Sequence, residues 1–382
     1  MITTINNEHK ELNFSSEREQ SQACLNSAEH EKNQGRKVLN VPNLRFPEFQ
    51  GEWEEYRIED ITENISSGRC KSHSPNGKYN LYGSTGIIGK TDEACYEGNL
   101  VLVARVGANA GSLQIINEPC GITDNTLIIK SKEVDAQYLY FFLQHFNLNR
   151  LIFGSGQPLI TGGMLKKVKV SLGTVQEQNK LTRLLSFLDE RIATQNKIID
   201  KLQSLIKGIA QKIVLSNKTN VHLSECVECS SSTLQESDVC EHGAYPVYGA
   251  NGIVGYLDNY NTEGEAVYII KDGSGVGTVS YVTGKCSATG TLNTLQAKEG
   301  YSLQYLYYLL KVFNFEPYKT GMAIPHIYFK DYGKAKVFCP SYTEQLQYAR
   351  LLSAIDSELS IEKNFLTSLS LQKQYLLRHM FI

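Results

Sequence analysis

The segment Tyr-Asn-Leu-Tyr-Gly-Ser-Thr-Gly-Ile-Ile-Gly at residues 79–89 returns as Tyr-Pro-Val-Tyr-Gly-Ala-Asn-Gly-Ile-Val-Gly at residues 245–255. The offset between the copies is 166 residues, and the same offset places Arg105 on Lys271. Self-similarity at a fixed period is the signature of a repeated structural unit. The sequence therefore predicts a tandem duplication.

The duplication extends outward from these segments over most of each half. After small shifts, Asn-Thr-Leu at residues 125–127 matches residues 293–295, and Gln-Tyr-Leu-Tyr at residues 137–140 matches residues 304–307. In each copy, short apolar runs bounded by Gly, Asn and Asp turns predict strands. A short helical segment, a lysine-containing strand and a long helix follow in each copy.

Each long helix carries a heptad pattern in which apolar residues alternate spacings of four and three. A seam of period 3.5 predicts a partner helix, and the other long helix of the same chain is the simplest partner. At 1.5 Å per residue the first seam is about 48 Å long. Gln195 and Glu362 interrupt the two seams at equivalent positions, where a polar residue fixes register and orientation. The alternative is ordinary core packing within a compact domain. The predicted pairing residues are Leu181, Leu185, Leu188, Ile192, Ile199, Leu202, Leu352, Ile355, Leu359 and Leu366.

We therefore predict an α+β fold with two tandem-duplicated β-rich domains. Two long helices separate them and pair as an antiparallel coiled coil. The expected segments are a polar, disordered leader at 1–38, a first domain at 39–174, a first helix at 175–215, a second domain at 216–341 and a second helix at 342–382.

The composition is that of a soluble globular protein, with 41% hydrophobic and 20% charged residues. The net charge of −2 counts against a free-standing DNA-binding protein, which usually has a basic surplus. DNA binding would then need local basic clusters or positive charge from partner subunits. No apolar run is long enough to cross a membrane, and the first residues do not form a signal peptide. Nine cysteines without a secretory signal predict free thiols and a cytoplasmic protein.

Four motifs occur in order along the first copy. They are Pro-Asn-Leu-Arg-Phe-Pro-Glu-Phe at residues 42–49, Gly-Glu-Trp-Glu at 51–54, Gly-Ser-Gly-Gln-Pro at 154–158 and Val-Gln-Glu-Gln at 175–178. Together with the duplication, they resemble the specificity subunits of Type I restriction-modification systems. The resemblance covers residue 40 to the C-terminus. Two departures are a longer leader and Thr-Gly-Met-Ala-Ile-Pro at residues 320–325 in place of the Gly-Gln-Pro form.

The resemblance implies two target-recognition domains that each read one half of a bipartite, asymmetric DNA sequence. It also implies that the helices bind two methyltransferase subunits and that restriction subunits complete the complex. S-adenosylmethionine, ATP and Mg²⁺ are then expected on the partner subunits, with no cofactor on this chain. The alternative is a two-module coiled-coil scaffold that binds protein or carbohydrate.

Candidate DNA contacts come from turn residues that donate or accept hydrogen bonds and from cations that recur in both copies. Arg105 and Lys271 suit phosphate binding, which carries no sequence information, whereas neighbours that differ between copies suit base recognition. Lys166, Lys167 and Lys169, matched by Lys334 and Lys336 in the second copy, form a recurring basic stretch, and alternate lysines on a strand would share one face that could lie along a phosphate backbone. The alternatives are turn glycines that only shape hairpins, cations that only solubilise them, and lysines that protect an edge strand. The candidates are Ser84, Thr85, Lys90, Arg105, Asn109, Gln157, Lys166, Lys167, Asn251, Lys271, Ser274, His326 and Lys334.

Catalytic interpretations are weaker. Residues 273–277 form a Gly-rich loop, but the next segment predicts a strand where a phosphate loop needs a helix. Cys226, Cys229, Cys240 and His242 are zinc-ligand types, yet Ile61 stands where Cys226 aligns, so we predict no metal. The methyltransferase, Walker and nuclease signatures are missing from the sequence. We therefore predict a non-catalytic chain.

Overall fold

A computed structural model describes residues 39–70, 73–152, 157–321 and 323–382, so the predicted leader lies outside the described residues. The chain forms two compact units. Unit 1 contains the described residues up to Ser186 together with Gln374–Ile382, and unit 2 contains Phe187–Lys373. Each unit thus combines one β-rich domain with parts of both long helices.

Unit 1 contains a four-stranded sheet in the order β2-β8-β5-β6, a three-stranded sheet in the order β4-β3-β7 and the pair β1-β9. Its strands are β1 (Glu54–Arg57), β2 (Thr62–Ser67), β3 (Tyr79–Gly83), β4 (Gly86–Thr91), β5 (Leu100–Ala104), β6 (Leu113–Ile116), β7 (Cys120–Ile122), β8 (Thr126–Ser131) and β9 (Lys169–Leu172). Its short helices are α1 (Ile58–Ile61), α2 (Ala136–Phe146) and α3 (Gly162–Lys166). The long helix α4 (Val175–Leu215) then begins.

Unit 2 repeats this topology, with sheets in the orders β11-β17-β14-β15 and β13-β12-β16 and the pair β10-β18. Its strands are β10 (Val221–His222), β11 (Val227–Ser231), β12 (Tyr245–Gly249), β13 (Gly252–Leu257), β14 (Ala266–Ile270), β15 (Val279–Val282), β16 (Ser287–Ala288), β17 (Leu292–Ala297) and β18 (Lys336–Val337). Its short helices are α5 (Leu223–Cys226), α6 (Leu303–Val312) and α7 (Phe329–Tyr332), and α8 (Tyr342–Met380) is the second long helix.

The central strands β5 and β14 are buried along their whole length. Their sequences, Leu-Val-Leu-Val-Ala and Ala-Val-Tyr-Ile-Ile, are continuous apolar runs, which suit strands covered on both faces. Pairing with β8 and β17 corrects one predicted alignment. Ala104 lies opposite Thr126 and Ile270 opposite Leu292, so the offset of 166 persists here. The shared tripeptide Asn-Thr-Leu therefore occupies different structural positions in the two copies.

Both long helices begin with side-chain caps at the predicted positions. The Thr174 hydroxyl accepts the Glu177 N–H at 3.3 Å, and the Ser341 hydroxyl accepts the Glu344 N–H at 3.4 Å. Such caps satisfy amide groups that have no partner inside the helix. The start of α8 also has the reciprocal bond, from the Ser341 N–H to the Glu344 carboxylate at 3.1 Å. The duplication therefore includes the junction where each domain becomes a helix.

Within unit 2, α4 and α8 contact each other in antiparallel order. Gln195 hydrogen-bonds Glu362, and the Lys373 Nζ lies 2.5 Å from Asp189 Oδ1. Residues that come earlier in α4 thus meet residues that come later in α8. The predicted seam residues are buried or half-buried. Six of them lie in or against the core of unit 2, namely Ile199, Leu202, Leu352, Ile355, Leu359 and Leu366. The duplicated β-rich domains and the long helices are confirmed, while coiled-coil pairing along the full helix length stays a prediction.

Among the residues that the structure describes, no helix is both long and apolar enough to cross a membrane.

Candidate nucleic-acid interface

A cation donates to a serine at the same place in both β-rich domains. In unit 1, Arg105 follows β5 and its Nη1 donates to Ser67 Oγ at the end of β2, at 3.1 Å. In unit 2, Lys271 follows β14 and its Nζ donates to Ser231 Oγ at the end of β11, at 2.6 Å. Both cations are half-buried. The predicted repeat of a cation therefore extends to its orientation.

The backbone around each cation is also duplicated. Asn125 O accepts the Arg105 N–H at 3.0 Å, and Thr291 O accepts the Lys271 N–H at 3.0 Å. On the other side, Ile160 N–H donates to the Arg105 carbonyl and Ile327 N–H to the Lys271 carbonyl, at 2.8 and 2.9 Å. These bonds fix the start of each loop, because buried backbone groups need a partner. Each domain thus presents one cation on a matched frame.

The loop after each cation carries further candidates. Asn109 is exposed in a 3₁₀ turn at Gly107–Asn109, and Ser274 is exposed in the equivalent loop of unit 2. Gln157 is exposed, and its Nε2 lies 4.0 Å from the point where a Gly107 side chain would begin. The structure therefore brings Arg105, Asn109 and Gln157 to one edge of unit 1.

The hairpin β3–β4 carries two candidates at its tip. Ser84 and Thr85 form a two-residue turn, with Thr85 exposed. The equivalent turn of β12–β13 exposes Asn251. Gly86 and Gly252 follow these turns with φ of +107° and +100°, a conformation that glycine adopts without strain. Both predicted hairpins therefore have a polar side chain at the tip.

Lys90 lies on β4, away from the hairpin tip. Its Nζ donates to Asn80 Oδ1 at 2.8 Å, and Asn80 Nδ2 donates to Glu118 Oε1 at 2.6 Å. Hydrogen bonds from Asn80 and then from Tyr82 lower the pKa of Glu118. Burial, followed by the bond to Glu118, raises the pKa of Tyr82 to about 12. A carboxylate thus offsets the positive charge of Lys90, and the turn-tip interpretation of this residue is wrong.

His326 forms a side-chain hydrogen bond with Asp272 that has no counterpart at the equivalent position of unit 1. Its Nδ1 lies 2.7 Å from Asp272 Oδ1, and both side chains are about one-third exposed. The main chain of His326 pairs with that of Asp272 and Thr320. Leu159 and Val106 occupy the equivalent places in unit 1 and pair through the main chain in the same way. The same backbone arrangement therefore carries different side chains in the two domains, apolar in unit 1 and polar in unit 2.

The predicted lysine face on a strand is wrong for Lys166 and Lys167. Lys166 ends the short helix α3 and Lys167 caps it, because Leu165 and Val168 are buried at a helical spacing of three. Lys169 does lie on β9, but its Nζ pairs with Glu55 Oε1 at 2.7 Å. The remaining lysines are exposed, with Lys336 on β18 and Lys334 before it.

The alternative sites that the sequence suggested have a clear structural context. The Gly-rich loop at residues 273–277 joins β14 to the antiparallel β15, so a strand follows it, as the sequence predicts. Within the described ranges, no group of three or more His, Cys, Asp or Glu is arranged to hold a metal ion. The Cys226 Sγ instead lies 3.7 Å from the Cys339 Sγ in the core of unit 2.

The sequence patterns did not identify three residues of these interfaces, Ser67, Ser231 and Asp272. A signal for the serines existed, because Ser-Ser ends both β2 and β11. Asp272 stands directly after Lys271, yet only the fold brings it to His326, 54 residues later. Contacts of this separation are set by packing between elements.

A family model for the Type I restriction modification DNA specificity domain matches residues 50–204 and again residues 216–370. The two matches cover more than half of the chain and follow its duplication. The chain belongs to this family.

Relatives of this Type I specificity chain are similar over different lengths. A proposed type I specificity subunit of Mycoplasma genitalium is 25% identical over 81% of this chain and 88% of that one. The EcoprrI specificity subunit of Escherichia coli is 27% identical over 46% of this chain and 39% of its own length. A crystal structure of a Type I restriction-modification S subunit from M. genitalium aligns with a TM-score of 0.67 at 20% identity, over 90% of this chain and 99% of that one. This last likeness establishes the shared fold.

Proposed function

We propose that this chain is the DNA-specificity subunit of a Type I restriction-modification complex. It reads a bipartite, asymmetric DNA sequence, with one half-site for each β-rich domain. Membership of the Type I specificity family supports this function over a protein- or carbohydrate-binding scaffold.

The observation that carries the proposal is the matched pair of interfaces. Arg105 and Lys271 occupy equivalent backbone positions in the two domains and donate hydrogen bonds to Ser67 and Ser231, respectively. Arg and Lys neutralise phosphates without reading sequence. Exposed neighbours differ between the domains, as at Thr85 and Asn251. A shared phosphate contact beside unlike polar groups suits two half-sites of different sequence.

The two long helices would serve assembly and spacing. Because α4 connects the two β-rich domains in the chain, its length bears on the separation of the half-sites. Exposed apolar residues on both helices, including Phe187, Ile361 and Leu371, offer contact area for partner subunits. We assign these partners as two methyltransferase subunits, joined by restriction subunits.

Methylation, ATP hydrolysis and cleavage would then belong to the partners, which would bind S-adenosylmethionine, ATP and Mg²⁺. We expect no turnover by the isolated chain with any of these. A DNA substrate and a set of free thiols fit a cytoplasmic location. With a net charge of −2, the chain would rely on the basic surface of its partners for part of its affinity.

A gel-shift titration tests the proposal. The chain would be combined with its methyltransferase subunit and titrated against genomic DNA fragments at several salt concentrations. We expect binding that weakens steeply with salt, because phosphate contacts release counterions. Binding to protein or glycan without salt-sensitive DNA binding would support the scaffold alternative.

A further inference from the structure

Next to the cation, each domain has one side chain at an equivalent position of the duplicated backbone. Leu159 pairs with Val106 in unit 1, and His326 pairs with Asp272 in unit 2, each through an isolated antiparallel bridge. The residue before each is a proline whose carbonyl accepts the N–H of a loop glycine, Gly107 or Gly273, at 3.0 Å. The two positions are therefore equivalent in backbone and differ in side chain.

The side chains at this position have opposite chemistry. Leu159 is apolar and 42% exposed. His326 is held by Asp272 at 2.7 Å, and its ring lies against Gly321, where a side chain would begin 3.1 Å from His326 Cδ2. Because a carboxylate only accepts hydrogen bonds, Nδ1 of His326 donates to Asp272. In the neutral form of the ring, Nε2 is then an acceptor.

We propose that Leu159 and His326 are specificity-determining contacts, each reading one base pair of its domain's half-site. The inference rests on the proposed function. An Nε2 acceptor matches the exocyclic amino group of adenine or cytosine in the major groove, whereas an apolar Leu159 matches the methyl group of thymine. Asp272 is a positioning residue, because it fixes the tautomer and orientation of the His326 ring.

The distribution of charge separates this role from phosphate binding. The cation is retained at Arg105 and Lys271, as a contact to a uniform backbone requires. A leucine cannot bind a phosphate, so phosphate binding cannot be the role that this position has in both domains. A position that is exposed, rigidly framed and variable between the copies is suited to reading a base.

Exchange of the two pairs tests the inference. The double variant Asp272→Val/His326→Leu gives unit 2 the residues of unit 1, and Val106→Asp/Leu159→His does the reverse. Each would be assembled with the methyltransferase subunit, and methylated sites would be mapped on genomic DNA. We expect the first variant to alter one base pair of the second domain's half-site and to spare the other half-site. Preference for the original base should fall about 5- to 150-fold, the usual effect of one mismatched base pair.

The reverse exchange should alter only the first domain's half-site. The salt dependence of binding should remain unchanged in both variants, because no phosphate contact is removed. Circular dichroism would check folding, and the single variant His326→Leu replaces the double variant if the latter unfolds. A wild-type complex without any bipartite site would contradict the proposed function itself. A bipartite wild-type site that persists unchanged in the exchanged variants would overturn this inference alone.

Discussion

Gln195 of α4 donates hydrogen bonds from one Nε2 to both the carboxylate and the main-chain oxygen of Glu362 of α8. The two residues are 167 positions apart, the same separation that relates Glu177 to Glu344 at the starts of the two helices. Equivalent positions of the two copies therefore meet each other. The polar residue that interrupts each seam in the sequence therefore has its hydrogen-bonding partner in the polar residue that interrupts the other seam.

This mutual contact predicts coupling between the two positions. Gln195→Leu alone leaves the half-buried Glu362 carboxylate without its donor, at a cost of about 1–3 kcal/mol of unfolding free energy. Gln195→Leu/Glu362→Leu should recover most of that loss, because both polar groups are removed. Chemical denaturation of the four proteins of this double-mutant cycle gives the coupling energy. Additive effects would mean that the two side chains do not depend on each other.

A buried ion pair ties the N-terminal segment of unit 1 to α4. Arg45 Nε and Nη2 donate to the two carboxylate oxygens of Glu177 at 2.7 and 2.9 Å, and the Glu177 side chain is 3% exposed. Glu177→Gln should lower the stability of unit 1 by about 1.5–3 kcal/mol, because it removes the buried negative charge that faces the Arg45 guanidinium. Fluorescence of Trp53, the single tryptophan of the sequence, follows this unfolding within unit 1.

The duplication supplies a matched control. Glu344 is equivalent to Glu177 but is exposed. Its carboxylate accepts hydrogen bonds from the main-chain N–H and the hydroxyl of Ser341. Glu344→Gln should therefore cost less than about 1 kcal/mol. Equal losses for Glu177→Gln and Glu344→Gln would rule out a special contribution from the Arg45 pair.

Acidic pH should weaken the docking of the C-terminal residues on unit 1. Nδ1 of His145 lies 2.7 Å from the Leu377 carbonyl, and the ring stacks on Phe381. Burial lowers the pKa of His145 below its ordinary 6.5, against the opposing effect of the Leu377 bond. The unfolded chain therefore binds a proton first as pH falls below 6.5, and stability declines until the folded histidine is also protonated.

His145→Gln keeps a donor for the Leu377 carbonyl but does not titrate. Thermal unfolding of both proteins between pH 7.5 and about 5 isolates the histidine contribution as the difference in slope. The wild type should lose stability more steeply. Parallel slopes would show that His145 does not carry the effect.

The sequence predicted the elements of this fold where local patterns decide them. The heptads gave both long helices, and turn glycines gave both hairpins, because these signals depend on near neighbours. The lysine pattern predicted a strand at Lys166 and Lys167, and this prediction was wrong. The buried residues there follow a helical spacing that extends up to Val168. The segment is too short for its sequence pattern to distinguish the period of a helix from the period of a strand.

The candidate interface was predicted only in outline. The recurrence of a cation at Arg105 and Lys271 follows from the offset alone. Their serine partners and the Asp272–His326 pair depend on how separate strands and loops meet. The placement of Lys90 at a turn tip was wrong for the same reason, since Asn80 and Glu118 become its neighbours only in the sheet. Its contact with DNA stays a prediction.

Helix length should control the spacer between half-sites. Insertion of one heptad in α4 and one at the facing place in α8 keeps the seam in phase. Seven residues add about 10 Å, which corresponds to about three base pairs of DNA. Mapping of methylated sites should show the spacer widened by that amount with both half-sites unchanged. A spacer of unchanged length would remove the helices from this role.

Replacement of one domain, with methylated-site mapping of genomic DNA, tests the central claim most directly. Residues 53–173 would be exchanged for the equivalent domain of another Type I specificity chain, and the hybrid expressed with its methyltransferase subunit. Because each domain carries its own framed interface, we predict that one half of the methylated sequence changes and the other half is retained. A change in both halves, or in neither, would contradict independent recognition by two domains.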